Sequence, residues 1–303
     1  MATLVDVSAE TSQKSSDGKV TSLERPRVKW THVVGFVTLA YAISWSVWIA
    51  LVPHIARYLH VARTPSKFTA PGSIVIGMFG PAVAAVIMRA FVSKEGFRKS
   101  LGPIRHRGKY FAIALVAPAL TFALLIDVSV GLHLAHFHSN GNIVALVMVL
   151  AFNALTFTML FAFGEEYGWR GYLLPKLLPL GEVRAGVVVG VIWGLWHAPL
   201  LIAGLNYPGV NPWVAIAMFV PTTVLMSLLF TRLYVVAGGA VLVATLLHAS
   251  LNAFGDGLGA HKRFVTHHTL LTSPGGAIAI GIFALITVTV YALRARHGST
   301  RTK

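Results

Sequence analysis

Apolar stretches of roughly 20 residues recur eight times along the chain, over residues 33–52, 70–92, 110–132, 146–173, 184–204, 212–235, 238–256 and 275–294. A run of that length is what an α-helix needs to cross the hydrocarbon core of a bilayer. The expected fold is therefore all-α, a polytopic membrane protein of about eight transmembrane helices. Of the 303 residues, 55% are hydrophobic and only 12% charged, and the mean hydropathy of +0.71 lies well above that of a soluble domain of this size. Residues 1–32 are polar and rich in Ser, Thr and Lys. Without an early apolar run, they read as a disordered cytoplasmic tail in place of a signal peptide. The membrane domain is then expected over 33–294, with a short second tail over 295–303.

The formal net charge of +15 invites a nucleic-acid reading, but the basic residues sit in the gaps between apolar runs and form no continuous polar face. They report topology instead. Nineteen of the 25 Lys and Arg residues fall on one side of the expected bilayer, in the N-terminal stretch (Lys14, Lys19, Arg25, Arg27, Lys29), in alternate gaps such as 94–109, and after the last span. Five (Arg57, Arg63, Lys67, Lys262, Arg263) fall on the other, and Arg89 lies near an inner span end. Both termini are expected in the cytoplasm, and a bacterial plasma membrane is the expected setting. With no Cys in the chain, disulfide, thiolate and Cys-ligated zinc chemistry are excluded.

Charged groups near the bilayer centre cost at least ~2.5 kcal/mol, so they usually face one another or a water-filled cavity. The fourth stretch holds Glu165, Glu166 and Arg170. Helical spacing puts Glu166 and Arg170 on one face at i, i+4, in the preferred order for an ion pair. Glu165 is rotated ~100° away and lacks that partner; a desolvated, weakly compensated carboxylate suits a general base. In the fifth stretch Gly186, Gly190 and Gly194 recur every fourth residue, forming a smooth stripe for a close-packed helix. His197 lies one turn beyond, beside Pro199, which cannot bond the Leu195 carbonyl and so loosens the helix. In the seventh stretch His248 and Asn252 share a face at i, i+4, and two N–H donors converging in a dry site suit an oxyanion. A base, a second proton-handling ring, an oxyanion hole and a water-accessible apolar cavity are the parts needed to hydrolyse an amide.

The three segments, Glu165-Glu166-x-x-x-Arg170, Trp193-x-x-x-His197 and His248-x-x-x-Asn252, resemble the EExxxR, FxxxH and HxxxN motifs of the CPBP family of intramembrane proteases, also called the CAAX-protease or Abi family. The resemblance extends from about residue 146 to 256. It implies eight helices around a conical cavity open to the cytoplasm. It also implies that Glu165 activates water with help from His197, that His248 and Asn252 stabilise the tetrahedral oxyanion, and that Glu166 and Arg170 hold the first glutamate. Trp193 departs from the family's Phe; both are aromatic, so a reshaped pocket is expected with the chemistry kept.

Other readings compete. Two His and two Glu are enough to ligate zinc, making a zinc-dependent intramembrane protease the nearest rival; HExxH is absent, and Arg170 beside the carboxylates disfavours a cation. A serine mechanism at Ser250 lacks a GxSxG elbow. Neither Asp127 nor Asp256 has the surroundings of an aspartyl protease, and Asp127 is expected to bond a neighbouring helix. A non-catalytic scaffold or immunity protein with the same buried polar network is the alternative outside enzymology. His133, His136, His138, His261, His267 and His268 read as loop residues. The expected partners are the lipid bilayer and a membrane-tethered peptide or protein substrate, with no nucleic acid, no cofactor and no metal.

Overall fold

The computed structural model describes residues 27–61, 72–97, 100–138, 142–260, 264–266 and 268–299. The first 26 residues, residues 300–303, and His261, Lys262, Arg263 and His267 lie outside them, so the tail readings are described only where α1 begins, at Trp30, and where the last helix ends, at Ser299. Helices form at each of the eight apolar stretches. They are α1 (Trp30–Val61), α2 (Gly72–Met78), α3 (Gly80–Ile87) with a π-helical extension Met88–Ser93, α4 (Gly108–Gly131), α5 (Ile143–Leu155), α6 (Phe157–Gly168) with a π-helical extension Trp169–Leu173, α7 (Leu174–Leu177), α8 (Glu182–Trp196), α9 (Ala198–Ile202), α10 (Pro212–Val236), α11 (Val241–Ala260), α12 (Thr269–Thr272) and α13 (Ala277–Ser299).

The fold is all-α and polytopic. Among the described residues, five segments are long and apolar enough to cross a membrane: Trp30–Ala50, Ile74–Ser93, Gly108–Gly131, Pro212–Val236 and Thr269–Arg296. A sixth follows if Ile143–Leu155 and Phe157–Leu180, bent by 41°, count as one span. The expected count of eight is not confirmed. The two stretches that fall short carry site residues. Helix α8 has 15 residues, about 22 Å at 1.5 Å per residue, and stops at His197. Helix α11 has 20 residues but carries His248, Ser250 and Asn252 about its middle and Asp256 one turn beyond. Polar residues of this kind belong against protein instead of lipid, and α11 packs on α4, α5, α6 and α10.

The bend between α5 and α6 has a local cause. Thr156 donates its Oγ1 hydrogen to the Phe152 carbonyl at 2.7 Å, a back-bond that competes with the helix ladder, and Thr156 itself leaves the helical region at φ −122°, ψ −100°. The glycine stripe acts as expected. A Cβ on Gly190 would stand 2.5 Å from the Val224 Cα, and one on Gly186 3.0 Å from Leu228, so α10 lies directly on the stripe. Helix α3 sits between α1 and α6, and α13 closes on α10 and α4. Val34, Phe91, Leu120, Met148, Phe152 and Leu285 point outward, an apolar exterior that suits lipid.

Two smaller features were not expected. A three-residue antiparallel ladder pairs β1 (Ala135–Phe137) with β2 (Phe264–Thr266), with His136 opposite Val265, and ties the α4–α5 connection to the one after α11. Asp127 does not join a neighbouring helix: it is exposed, one turn before the end of α4 at Gly131, where a carboxylate reaches the interfacial region.

Candidate active site

Glu165 and Glu166 occupy the last turn of α6, immediately before the backbone widens into the π-helical turn that carries Arg170. Such turns are frequent at functional sites because the extra residue redirects the side chains that follow. Arg89 holds this turn from the π-helical extension of α3, donating Nη2–H to the Gly171 carbonyl at 2.6 Å.

The i, i+4 pair forms as its spacing predicted. Arg170 Nη1 donates to Glu166 Oε1 at 2.8 Å, with both side chains 0% exposed. The guanidinium lies against two adjoining rings, 5.0 Å from the Trp193 centroid and 4.6 Å from that of Phe230, which are 5.8 Å from each other, desolvated cation–π contacts of up to ~2 kcal/mol each. The same Glu166 oxygen lies 2.9 Å from Nδ1 of His248. A carboxylate only accepts, so Nδ1 carries the proton, and Nε2 is a donor only when the ring is doubly protonated. Glu166 Oε2 and Arg170 Nε and Nη2 are buried without a protein partner.

Glu165 faces elsewhere. It is 2% exposed, and the indole Nε1–H of Trp193 donates to its Oε2 at 2.7 Å. The sequence reading left Glu165 without an ion-pair partner and treated Trp193 as a substitute ring; it missed the bond between them. The available signal was chemical: indole has an N–H that a Phe ring lacks, and a buried Trp N–H seeks an acceptor.

His197 is oriented by the end of α8. Its backbone N–H turns to the Gly194 carbonyl at 3.2 Å, which releases the Trp193 carbonyl from its usual helical partner. That carbonyl accepts from the His197 ring, with Nδ1 at 2.9 Å, so Nδ1 is protonated and Nε2 is the opposite, presented nitrogen. The break leaves further carbonyls to satisfy. Trp45 donates to the Trp196 carbonyl at 2.8 Å and Tyr41 to that of Ile192 at 2.5 Å. These two residues sit one turn apart on α1 and clamp the end of α8; the sequence reading assigned them no role. Phe219 and Trp196 enclose the His197 ring at 4.9 and 4.7 Å between centroids.

Glu165 thus lies within electrostatic reach of Arg170, His197 and His248, and Trp193 links them, its ring centroid 5.2 Å from that of His248. Asn252 follows His248 by one turn of α11 and is half-buried; its place beside the site rests on that spacing. Among the described residues, no three His, Asp or Glu side chains are grouped to hold a metal ion. A cavity of about 900 Å³ lies on the far side of Phe230, and none of the six candidate residues lines it. The aromatic side chains packed over Arg170 and His197 close the site from that direction.

Comparison with known proteins agrees with the motifs. Residues 144–254 match the family described as type II CAAX prenyl endopeptidase Rce1-like, a stretch that contains all six candidate residues. A curated relative, the "CAAX prenyl protease 2" of Methanococcus maripaludis, is 24% identical over 151 residues, covering 46% of this chain and 53% of the relative. The chain spans about half the length of that relative. Through residues 144–254 the chain is thus similar to the CPBP, or CAAX-protease, family, in agreement with the three motifs.

Proposed function

We propose that the protein is an intramembrane endopeptidase that hydrolyses a peptide bond with a glutamate-activated water. The observation that carries this reading is the position of Glu165. It is buried and held at one carboxylate oxygen by an indole N–H, and it stands in reach of two histidines while its neighbour Glu166 neutralises Arg170. The second oxygen of Glu165 takes a proton from water as the water oxygen bonds to the scissile carbonyl carbon. The carbonyl electron pair moves to oxygen, where Asn252 and the doubly protonated His248 ring donate hydrogen bonds. Collapse of the intermediate breaks the C–N bond, and the proton held by Glu165 passes to the leaving nitrogen, with His197 Nε2 orienting the water.

The substrate is a membrane-tethered peptide entering from the cytoplasmic face, with both termini of the protein on that face of a bacterial plasma membrane. The name of the methanococcal relative and the Rce1-like match support a protease acting near a C-terminal CAAX-type sequence. The test is cleavage in proteoliposomes, with membrane peptides from active and inactive samples compared by mass spectrometry. Glu165→Gln retains the oxygen that accepts from Trp193; it should abolish cleavage and leave the fold intact, while strong chelators should leave wild-type activity unchanged. Activity lost to chelation and restored by zinc would transfer the mechanism to a metallohydrolase. The full burial of Glu166 and Arg170 also suits a scaffold whose polar network only holds helices together; a folded wild type that cleaves nothing, with a Glu165→Gln variant that keeps its cellular function, would favour it.

A further inference from the structure

The 900 Å³ cavity beyond Phe230 is a groove between four helices, α4, α10, α11 and α13. Its walls are apolar, among them Ile113, Ala117, Leu229, Leu251 and Phe283, and its charged residues are confined to one end, where Arg232 and Arg294 stand with Tyr110. Tyr110 is in the first turn of α4, Arg232 near the end of α10 and Arg294 in the last part of α13, so all three mark the same level of the bundle. From Arg294 up α13 to Phe283, or from Tyr110 along α4 to Thr121, the groove extends about 16 Å at 1.5 Å per residue. That is one leaflet of a hydrocarbon core ~30 Å thick.

The basic end is undercompensated. One carboxylate serves two guanidiniums: Glu182 Oε2 lies 2.8 Å from Arg294 Nη1 and 3.6 Å from Arg232 Nη1. Lys109 adds a third cation on the same level, its Nζ 4.9 Å from the Tyr110 ring centroid. Paired guanidiniums at a membrane interface match a phosphate, which accepts from them in a bidentate manner. An apolar slot of one leaflet's depth beneath them matches a hydrocarbon chain.

We infer that this groove binds a membrane phospholipid with an anionic headgroup, its phosphate at Arg232 and Arg294 and an acyl chain running along α4 and α13 towards Phe230. Phe230 is the partition between groove and site, since its other contacts include the Arg170 guanidinium and the His248 ring, 5.9 Å between centroids. A chain seated in the groove therefore packs the ring that supports Arg170. This inference concerns lipid binding and does not depend on the proteolytic reading.

The test uses the full chain, purified in a neutral detergent and stripped of lipid, with phosphatidylglycerol, phosphatidylcholine of the same chains, and inorganic phosphate as separate probes. Retention is read by native mass spectrometry and protection by thermal unfolding. Phosphatidylglycerol should be retained about tenfold better than phosphatidylcholine, whose phosphate is the same but whose choline cation would stand against the two guanidiniums, and phosphate alone should give no protection. Arg232→Gln with Arg294→Gln should erase the preference. Ala117→Phe fills the groove without touching the ion pairs, and should reduce retention of both lipids, which keeps the proposal testable if the arginine variant does not fold. Equal retention of the two lipids by the wild type, unchanged retention in Ala117→Phe, or protection by phosphate alone would overturn it. So would a lipidated peptide that occupies the groove and that phosphatidylglycerol cannot displace.

Discussion

Replacing Arg170 by Met tests the buried network most directly. Met packs against the adjoining Trp193 and Phe230 rings without a charge, and its thioether recovers about 0.3–1.5 kcal/mol of aromatic contact. What it leaves behind is Glu166, 0% exposed, with His248 as its remaining bonded partner. Removing one member of a buried ion pair costs about 3–5 kcal/mol because the other charge is stranded, and Glu166→Gln should cost a similar amount by stranding the guanidinium. The double variant Glu166→Gln/Arg170→Met strands no charge, and the amide oxygen still accepts from His248. It should therefore fall short of the summed single losses by about 3 kcal/mol, the upper range for residues in direct contact. Unfolding of the detergent-solubilised protein by a denaturing surfactant, followed through tryptophan fluorescence, gives the four corners of the cycle. A single Arg170→Met loss below about 1 kcal/mol, or additive behaviour in the double variant, would refute the picture of a mutually dependent buried pair.

Trp193→Phe restores the ring found in the family motif but removes the N–H on Glu165; a hydrogen bond to a charged group contributes about 1.5–3 kcal/mol, so kcat should fall roughly ten- to hundredfold with KM little changed, as steady-state cleavage would show. Glu165→Ala, in contrast with Glu165→Gln, also strands that indole N–H and should lose about 1–3 kcal/mol of stability in the same unfolding assay. Gly190→Ala drives a methyl group against the Val224 Cα and should destabilise the α8–α10 contact by about 1–3 kcal/mol, seen as a lower thermal midpoint. Reporter fusions after Arg107 and Lys303 should read cytoplasmic and one near Asn140 external; an external C-terminus would contradict the Lys and Arg distribution.

The sequence by itself determined what depends on neighbours along one helix. Run length marked the helices, and the 3.6-residue period paired Glu166 with Arg170, aligned His248 with Asn252 and set Gly186, Gly190 and Gly194 on one face, because each needs only that the segment be helical. The tertiary structure decided which faces meet. Trp193 reaches Glu165 across 28 residues, His248 reaches Glu166 across 82, and Trp45 reaches the Trp196 carbonyl across 151. Helices that are apolar all round, in a solvent as apolar as their side chains, carry little periodic signal of their rotation. The mutual orientation of α1, α6, α8, α10 and α11 is fixed instead by close approach at glycines and by buried N–H groups seeking acceptors. For the same reason the number of true spans and the groove between α4, α10, α11 and α13 could not be read from hydropathy: a half-buried helix inside the bundle and a lipid-facing one differ in their neighbours, and run length records only composition.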